Sequence, residues 1–290
     1  MRRTTVASVV LAIIAVCVAM AVAGGAAVSV PRWPVGAKPD GLPFEDVAIQ
    51  SEPGIVIRGW AIPNDCACGV IVLLHGSGAS RESMLPRARF LHRAGYSVVV
   101  VDMRAHGLSD GSATTFGGRE SRDVRAVIAE ARRRFARQKL GAIGFSLGGA
   151  ALLLGDTPAD VDALVVEEVY STIDDTAHRR LAATMGPVIA SVLPWLLYAQ
   201  MPWRFGVSRG DLRPMDRIGA VAVPILVMGG DKDPFVPPDE TRRLFHAARE
   251  PKALWIVPGA AHQDLHQVAP AAYEQRVLDF FRRGLRSSGG

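Results

Sequence analysis

Three side chains in this sequence have the types and the order that nucleophilic acyl transfer needs. Ser146 stands in Gly144-Phe145-Ser146-Leu147-Gly148, a Gly-x-Ser-x-Gly pentapeptide. Asp233 follows in Gly230-Asp231-Lys232-Asp233-Pro234-Phe235-Val236-Pro237, and His262 ends Gly259-Ala260-Ala261-His262. A serine hydroxyl is a poor nucleophile near neutral pH. It needs a base within hydrogen-bond reach, and the base needs a third group that fixes its tautomer. His262 is the candidate base and Asp233 the candidate orienter. His75 and His106 sit in His-Gly turns, where a structural hydrogen bond is expected, and His266 lies about one turn beyond His262. Asp231 is expected to hold its own turn. No ligand cluster suggests a metal, and no phosphate loop or nucleotide fingerprint appears, so no cofactor is expected.

The pentapeptide has the surroundings that make it more than a chance match. An apolar run leads in from Lys139, and a small-residue helix over residues 150–154 leads out. A serine on a sharp strand-to-helix turn is lifted clear of the sheet, and the next N–H, that of Leu147, is aimed into the site. Gly144 and Gly148 are required where a Cβ would collide with neighbouring backbone.

These residues need a scaffold that gathers distant segments. Residues 44–50 and 55–62 alternate about Ser51-Glu52-Pro53-Gly54 and predict an antiparallel hairpin. Apolar runs at 69–74, 97–101, 139–145, 163–169, 225–228 and 253–257 predict strands buried on both faces. Helical patterns at 81–94, 120–134 and 267–285 lie among them. Strands alternating with helices imply an α/β fold, a mostly parallel sheet with helices on both faces. Strand C-termini converge on one edge of such a sheet, where residues far apart in sequence can meet.

Residues 171–213 break the alternation. The segment carries Met185, Trp195, Met201 and Trp203 among many apolar residues, with Pro187, Pro194 and Pro202. A structureless loop of that length would be unusual. Two or three helices forming a cap over the strand ends are predicted, with Met185, Trp195 and Trp203 as candidate substrate-binding residues on an adaptable apolar surface.

The chain of 290 residues, 49% hydrophobic, can bury a sizeable core. The net charge of +5 is mostly scattered arginine. The densest cluster, Arg132-Arg133-Arg134 with Arg137, falls late in a predicted helix and reads as a solvated face favoured by the helix dipole. No aromatic residues interleave with it as base stacking would need, so no nucleic-acid partner is expected. Residues 1–30 read as a leader: a basic Met1-Arg2-Arg3 head, then an apolar stretch over 6–23 about long enough to span a bilayer, with Ala21-Val22-Ala23 resembling a cleavage site. A retained anchor and a cleaved signal both fit, and each places the catalytic part outside the cytoplasmic membrane, tethered or secreted. Residues 31–43, rich in Pro and Gly, predict a linker before a domain over 44–290. The three cysteines, Cys17, Cys66 and Cys68, include no second pair to complete a zinc site. A Cys66–Cys68 disulfide would be strained. Free loop thiols and a labile bond both remain open, and neither is given a catalytic role.

From residue 44 to the C-terminus the chain resembles the α/β-hydrolases. The shared motifs are H-G-S-G at 75–78, D-x-R-x-H-G at 102–107, G-F-S-L-G-G at 144–149, G-D-K-D-P-F-V-P at 230–237 and G-A-A-H at 259–262. The order Ser…Asp…His is that of this fold. The resemblance is strongest to bacterial serine hydrolases of the monoacylglycerol-lipase and serine-aminopeptidase kind, several of which carry an N-terminal membrane segment. Glu167-Glu168-Val169-Tyr170-Ser171-Thr172 resembles their E-S-x-[FY]-[ST]-S strand end, departing at Glu168 and Val169. The resemblance implies Ser146 as nucleophile, His262 as base, Asp233 as acid, and an oxyanion hole of the Leu147 and Ser77 N–H groups. Glu167, Asp174 and Asp175 lie near an alternative acid position of some relatives. The expected reaction is hydrolysis of carboxylic esters with apolar or lipid-like acyl groups through an acyl-enzyme. A peptidase of the same fold would recognise a free amine, with Asp174 and Asp175 as the nearest carboxylates. Perhydrolysis and lactone hydrolysis use the same triad. A non-catalytic scaffold is the reading of a different class, and the intact Ser/Asp/His set argues against it.

Overall fold

A computed structural model of the chain describes residues 8, 10, 11, 14–16, 35, 36, 38–66 and 68–285. The predicted leader therefore lies almost wholly outside the described residues, as does Cys17. Among the described residues no helix is long and apolar enough to cross a membrane.

Eight strands form one sheet: β1 (Glu45–Glu52), β2 (Ile55–Ile62), β3 (Val70–Leu74), β4 (Ser97–Val101), β5 (Leu140–Phe145), β6 (Ala163–Glu167), β7 (Ile225–Gly230) and β8 (Lys252–Val257). Their order is β1-β2-β4-β3-β5-β6-β7-β8. The hairpin partner β2 runs antiparallel to β1 and β4, and the six strands from β4 to β8 are mutually parallel. The apolar runs make this possible because successive side chains point to opposite faces. Val70, Val72 and Leu74 join one core cluster with Val124, Val127 and Ile128, while Ile71 and Leu73 join the other with Phe90, Leu91, Tyr273 and Phe281. A strand covered on both faces has no polar position to spare, which is why these runs are continuous.

The helices are α1 (Leu85–Arg93), α2 (Glu120–Arg134), α3 (Leu147–Leu153), α4 (Ile173–Met185), α5 (Pro187–Phe205), α6 (Pro214–Arg217), α7 (Pro238–Ala247), α8 (Leu265–Val268) and α9 (Pro270–Gly284). Three expectations need correction. The helix predicted over 81–94 opens with a 3₁₀ turn at Arg81–Met84. The closing helix is two helices, because Pro270 lacks an N–H and Ala269 leaves helical geometry at φ −139° and ψ 64°. The strand expected over 163–169 stops at Glu167, because Glu168 turns to φ 51°. The expected linker is partly packed, with Val35 and Leu42 against the second core cluster. The arginine cluster is paired with acids: Arg132 with Asp160 and Asp162, Arg133 with Glu130, and Arg134 with Glu130 and Glu45.

Within the predicted cap, α4 starts behind the Thr172 cap, whose hydroxyl accepts from the Asp175 N–H, and Gly186 at φ 86° separates it from α5. Helix α5 continues through Pro194 and Pro202. The cap is fastened to the strand ends on one side: Arg179 donates to the Phe235 carbonyl (2.8 Å) and pairs with buried Glu240.

Candidate active site

The C-terminal edge of the sheet builds the site from β5, β7 and β8, with β6 between the first two. β5 ends at Phe145, and Ser146 takes φ 48° and ψ −106°, a strained conformation for a residue with a side chain. Its N–H is anchored on the Glu167 carbonyl at 2.8 Å. A Cβ on Gly144 would lie 2.5 Å from the Gly149 nitrogen, and one on Gly148 would lie 2.5 Å from the Leu74 carbonyl oxygen. Only glycine lets α3 start so close to β5 and β3, and that closeness makes the turn sharp.

β7 and β8 supply the partners. Ser146 Oγ lies 3.2 Å from His262 Nε2, and His262 Nδ1 lies 2.7 Å from Asp233 Oδ2. Asp233 Oδ1 accepts the N–H groups of Phe235 (2.7 Å) and Val236 (2.9 Å), so the turn that carries the carboxylate also aims it. Phe145 and Phe235 flank the imidazole, with ring centroids at 5.7 and 5.6 Å. The arrangement suits proton transfer from Ser146 to His262, with the resulting imidazolium stabilised by Asp233.

The first hydrogen bond of α3 runs from the Ala150 N–H to the Ser146 carbonyl, at 2.9 Å. The Leu147 N–H therefore belongs to the first turn of the helix, where no intrahelical acceptor exists. The Ser77 loop closes the opposite side: a Cβ on Gly76 would lie 2.6 Å from the Phe145 ring and 3.5 Å from Ser146 Cβ. Two histidines staple this loop. His75 Nε2 accepts the Met103 N–H (2.9 Å) and its Nδ1 faces the Gly76 carbonyl (2.7 Å). His106 Nε2 accepts the Gly78 N–H (3.0 Å) and its Nδ1 faces the Arg104 carbonyl (2.7 Å). Asp102 is a brace as well, accepting from Arg81 and from the Leu108 N–H.

The alternative acids are committed elsewhere. Glu167 pairs with Arg87 at 2.7 Å, Asp174 pairs with Arg209 at 2.7 Å, and Asp175 accepts the Thr172 hydroxyl at 2.8 Å. Asp231 accepts the Gly259 N–H at 2.7 Å, holding its turn, and His266 faces Glu274 at 3.0 Å. The three cap residues are not gathered with Ser146 in one enclosed site: Met185, Trp195 and Trp203 are 53%, 59% and 72% exposed, and Arg209 covers the Trp195 ring at 4.5 Å. Beside the elbow, Ala79, Met84 and Phe145 help line a cavity of about 80 Å³ that Arg87 and Asp264 also border. Cys66 and Cys68 are free thiols.

One residue of the site was not singled out by its spacing. Glu168, wholly buried, brings Oε2 to 3.5 Å from His262 Nδ1. One ligand atom each from Glu168, Asp233 and His262 lie within 4.8 Å of one another. Three such groups can hold a cation in principle, but the 2.7 Å between Asp233 Oδ2 and His262 Nδ1 is a hydrogen-bond distance that leaves no place for an ion between them. The only sequence sign of Glu168 was its departure from the strand-end pattern.

Two buried groups pull stability against pH in opposite directions. Burial, then the neighbouring charges of His106 and Arg81, hold His75 down at about 3 from an ordinary 6.5. Burial, then Asp233 and Glu167, push Glu168 from 4.5 up to about 10. The unfolded chain binds the His75 proton first, so that contribution is full above pH 6.5 and is lost as pH falls toward 3. The folded chain holds the Glu168 proton longer, so that contribution is full below pH 4.5 and is lost as pH rises toward 10. Between 4.5 and 6.5 the two slopes cancel. Above that window Glu168 alone acts, at up to about 1.4 kcal/mol per pH unit. The thermal midpoint of Glu168→Gln is therefore expected to gain on the wild type steadily from pH 6 to pH 9 in calorimetry. A constant difference between the two proteins would reject a neutral Glu168.

A family model described as "serine aminopeptidase, S33" matches residues 65–213, just over half of the chain. An uncharacterized protein of Bacillus subtilis, YqkD, is 25% identical over 236 residues, which are 80% of this chain and 77% of that protein. An uncharacterized protein of Mycobacterium tuberculosis is 27% identical over 250 residues, 83% of this chain and 78% of that one. Among solved structures, an esterase of Pyrococcus furiosus superposes with a TM-score of 0.74 at 25% identity, covering 89% of this chain and 98% of the esterase. An esterase of Exiguobacterium antarcticum shares the fold, with a TM-score of 0.61 at 18% identity over 82% of this chain and 100% of that one.

Proposed function

Because the chain belongs to the serine aminopeptidase S33 family of α/β-hydrolases, we propose that it is a serine hydrolase of carboxylic esters that works through Ser146, His262 and Asp233. The observation that carries this reading is the continuous relay from Ser146 Oγ to His262 Nε2 and from His262 Nδ1 to Asp233, on an elbow that only glycine neighbours permit. The likeness to the Pyrococcus furiosus esterase supports the ester class.

In the proposed reaction His262 takes the Ser146 proton as Oγ attacks the ester carbonyl. The oxyanion is received by the N–H groups of Leu147 and Ser77. The alcohol leaves with the proton from His262, and water activated by the same imidazole releases the acid. The apolar-acyl preference rests on the exposed Met185, Trp195 and Trp203 of the cap. Cavities that hold larger ligands start at about 300 Å³. The cavity of about 80 Å³ beside the elbow is too small for such a ligand and is lined by no triad residue, so a long acyl chain would have to lie along the cap. Attachment to a membrane, with the catalytic domain outside, rests only on the leader's composition.

The peptidase reading is favoured by the family's description but has weaker support at the site. Asp174 and Asp175, the carboxylates expected to meet a substrate amine, are held by Arg209 and Thr172. The test is a series of chromogenic esters from acetyl to dodecanoyl, with aminoacyl anilides in parallel. Ester turnover that rises with acyl length and drops after Trp195→Ala would support the apolar-acyl preference. Turnover confined to acetyl and butyryl esters would reject the apolar-acyl preference. Anilide cleavage without ester cleavage would replace the esterase by the peptidase.

A further inference from the structure

Glu168 is a buried carboxyl without a well-formed hydrogen bond at either oxygen, the Gln263 N–H being the one backbone donor close to it. It is held in a left-handed backbone conformation at φ 51°, where a residue with a side chain is strained. Strain and an unpaired buried carboxyl both cost stability, which points to a role for the side chain where it is. Its surroundings are acidic. Asp233, Glu167 and Asp264 all favour its neutral form, and only the Gln263 backbone N–H favours the charged one. Arg87 is spent on Glu167 and Asp264. Arg180, from the cap, lies over the Phe235 ring at 4.4 Å and has an attraction to Asp233. Beside Glu168, Asp233 accepts three N–H bonds, from His262, Phe235 and Val236. Hydrogen bonds from N–H groups favour a carboxylate, and two close carboxyls seldom both ionise. The N–H donors thus gather on Asp233, while burial and the acidic surroundings favour the proton on Glu168.

We propose that Asp233 and Glu168 form a one-proton acid pair behind His262, with Asp233 carrying the charge and Glu168 a positioning residue able to take over the Nδ1 partnership when Asp233 is neutralised. At rest the pair presents one negative charge to the imidazole. No bond to Glu168 forms or breaks in the wild-type cycle. When Asp233 becomes neutral, its share of the repulsion is gone while burial and Glu167 still hold the proton, so Glu168 ionises only as pH rises. Glu168 then gives that proton to solvent and accepts the His262 Nδ1 hydrogen bond, closing the 3.5 Å separation.

The proposal rests on the triad reading above, and its test separates the two. Initial rates on a chromogenic butyrate ester would be compared for the full-length wild type, Glu168→Gln, Asp233→Asn and the double variant from pH 6 to pH 10. Ser146→Ala serves as the blank. The amide introduced by Asp233→Asn keeps an oxygen for the Phe235 and Val236 N–H groups, and the one introduced by Glu168→Gln mimics the neutral acid, so each variant keeps its loop. Glu168→Gln alone is expected to lower the rate severalfold, far less than Asp233→Asn does. Replacing the acid of a triad by its amide costs about 10⁴-fold. With Glu168 in reserve, Asp233→Asn is expected to lose only about 10²-fold, and to recover as pH rises. The double variant is expected to show the full loss of about 10⁴ and no recovery. A full loss in Asp233→Asn, unchanged by the second substitution, would overturn the pair. So would a Glu168→Gln loss as large as that of Asp233→Asn. The downfield proton resonance of His262 Nδ1 is the readout without turnover. It is expected to persist in Asp233→Asn at high pH and to vanish in the double variant, and its absence from both would overturn the proposal. A wild type that turns over no ester would count against the esterase, and the acid pair would then stand or fall on the resonance.

Discussion

Ser146→Ala is expected to lower ester turnover by about 10⁶-fold, the size of loss seen when the nucleophile of a serine triad is removed. The backbone makes this a clean experiment. Ser146 already sits at φ 48°, so alanine inherits the same strain and only the hydroxyl is lost. The bond to His262 is long, at 3.2 Å and partly buried, so little folding energy goes with it. The thermal midpoint is expected to move by no more than a few degrees. Rates above the uncatalysed reaction are expected to survive, because the proposed oxyanion donors, the Leu147 and Ser77 N–H groups, are left in place. The measurement is kcat on a butyrate ester with circular dichroism alongside. A loss of less than about tenfold in a folded protein would remove Ser146 from the chemistry.

The largest expected effect on folding is at Arg87, far from the pentapeptide in sequence. Its guanidinium is buried and touches Glu167 (2.7 Å), Asp264 (2.7 Å) and the Tyr273 hydroxyl (2.9 Å), while Tyr273 also donates to Glu167. The charged pair holds the Arg87 guanidinium proton even more firmly than usual, despite its burial. Arg87→Met would leave the Glu167 carboxyl without its cation at zero exposure, with the Tyr273 hydroxyl as its remaining side-chain donor. Breaking a buried pair by removing one partner costs about 3–5 kcal/mol. The penalty comes from the stranded carboxylate, so Arg87→Met with Glu167→Met is expected to recover most of it. Urea unfolding of the three proteins decides this. A single variant within about 1 kcal/mol of the wild type would show that the hub is structurally idle. The same hub ties α1, the end of β6, α9 and the loop two residues past His262. The single variant should therefore also lose activity through a loosened His262, a loss the double variant does not fully restore, since Asp264 stays unpaired.

The resemblance to α/β-hydrolases and the sheet's class were legible because they depend on local patterns. Continuous apolar runs mark strands covered on both faces, and Gly144 and Gly148 mark a turn that tolerates no Cβ. The break at Ala269 and Pro270 was harder to see because the apolar periodicity continues across it, from Leu265 to Tyr273 and Val277. The cap's helices were legible as apolar segments, but not which faces they expose. Trp195 and Trp203 carry the same residue type as buried Trp60, and only packing separates them.

What the sequence determined by itself was the chemistry on offer: a serine on a sharp turn, a histidine and an aspartate beyond two later strands, and glycines where backbone must approach backbone. These are statements about residue type and short spacing, and covalent geometry makes them local. What the tertiary structure alone decided was which acids meet which bases. Glu167 and Glu168 are neighbours in the chain, yet the turn to φ 51° sends one to Arg87 and the other to His262. The reason is physical: the energy of a carboxylate is set by charges and donors within a few ångströms, and those come from segments as distant as residues 87, 233 and 262.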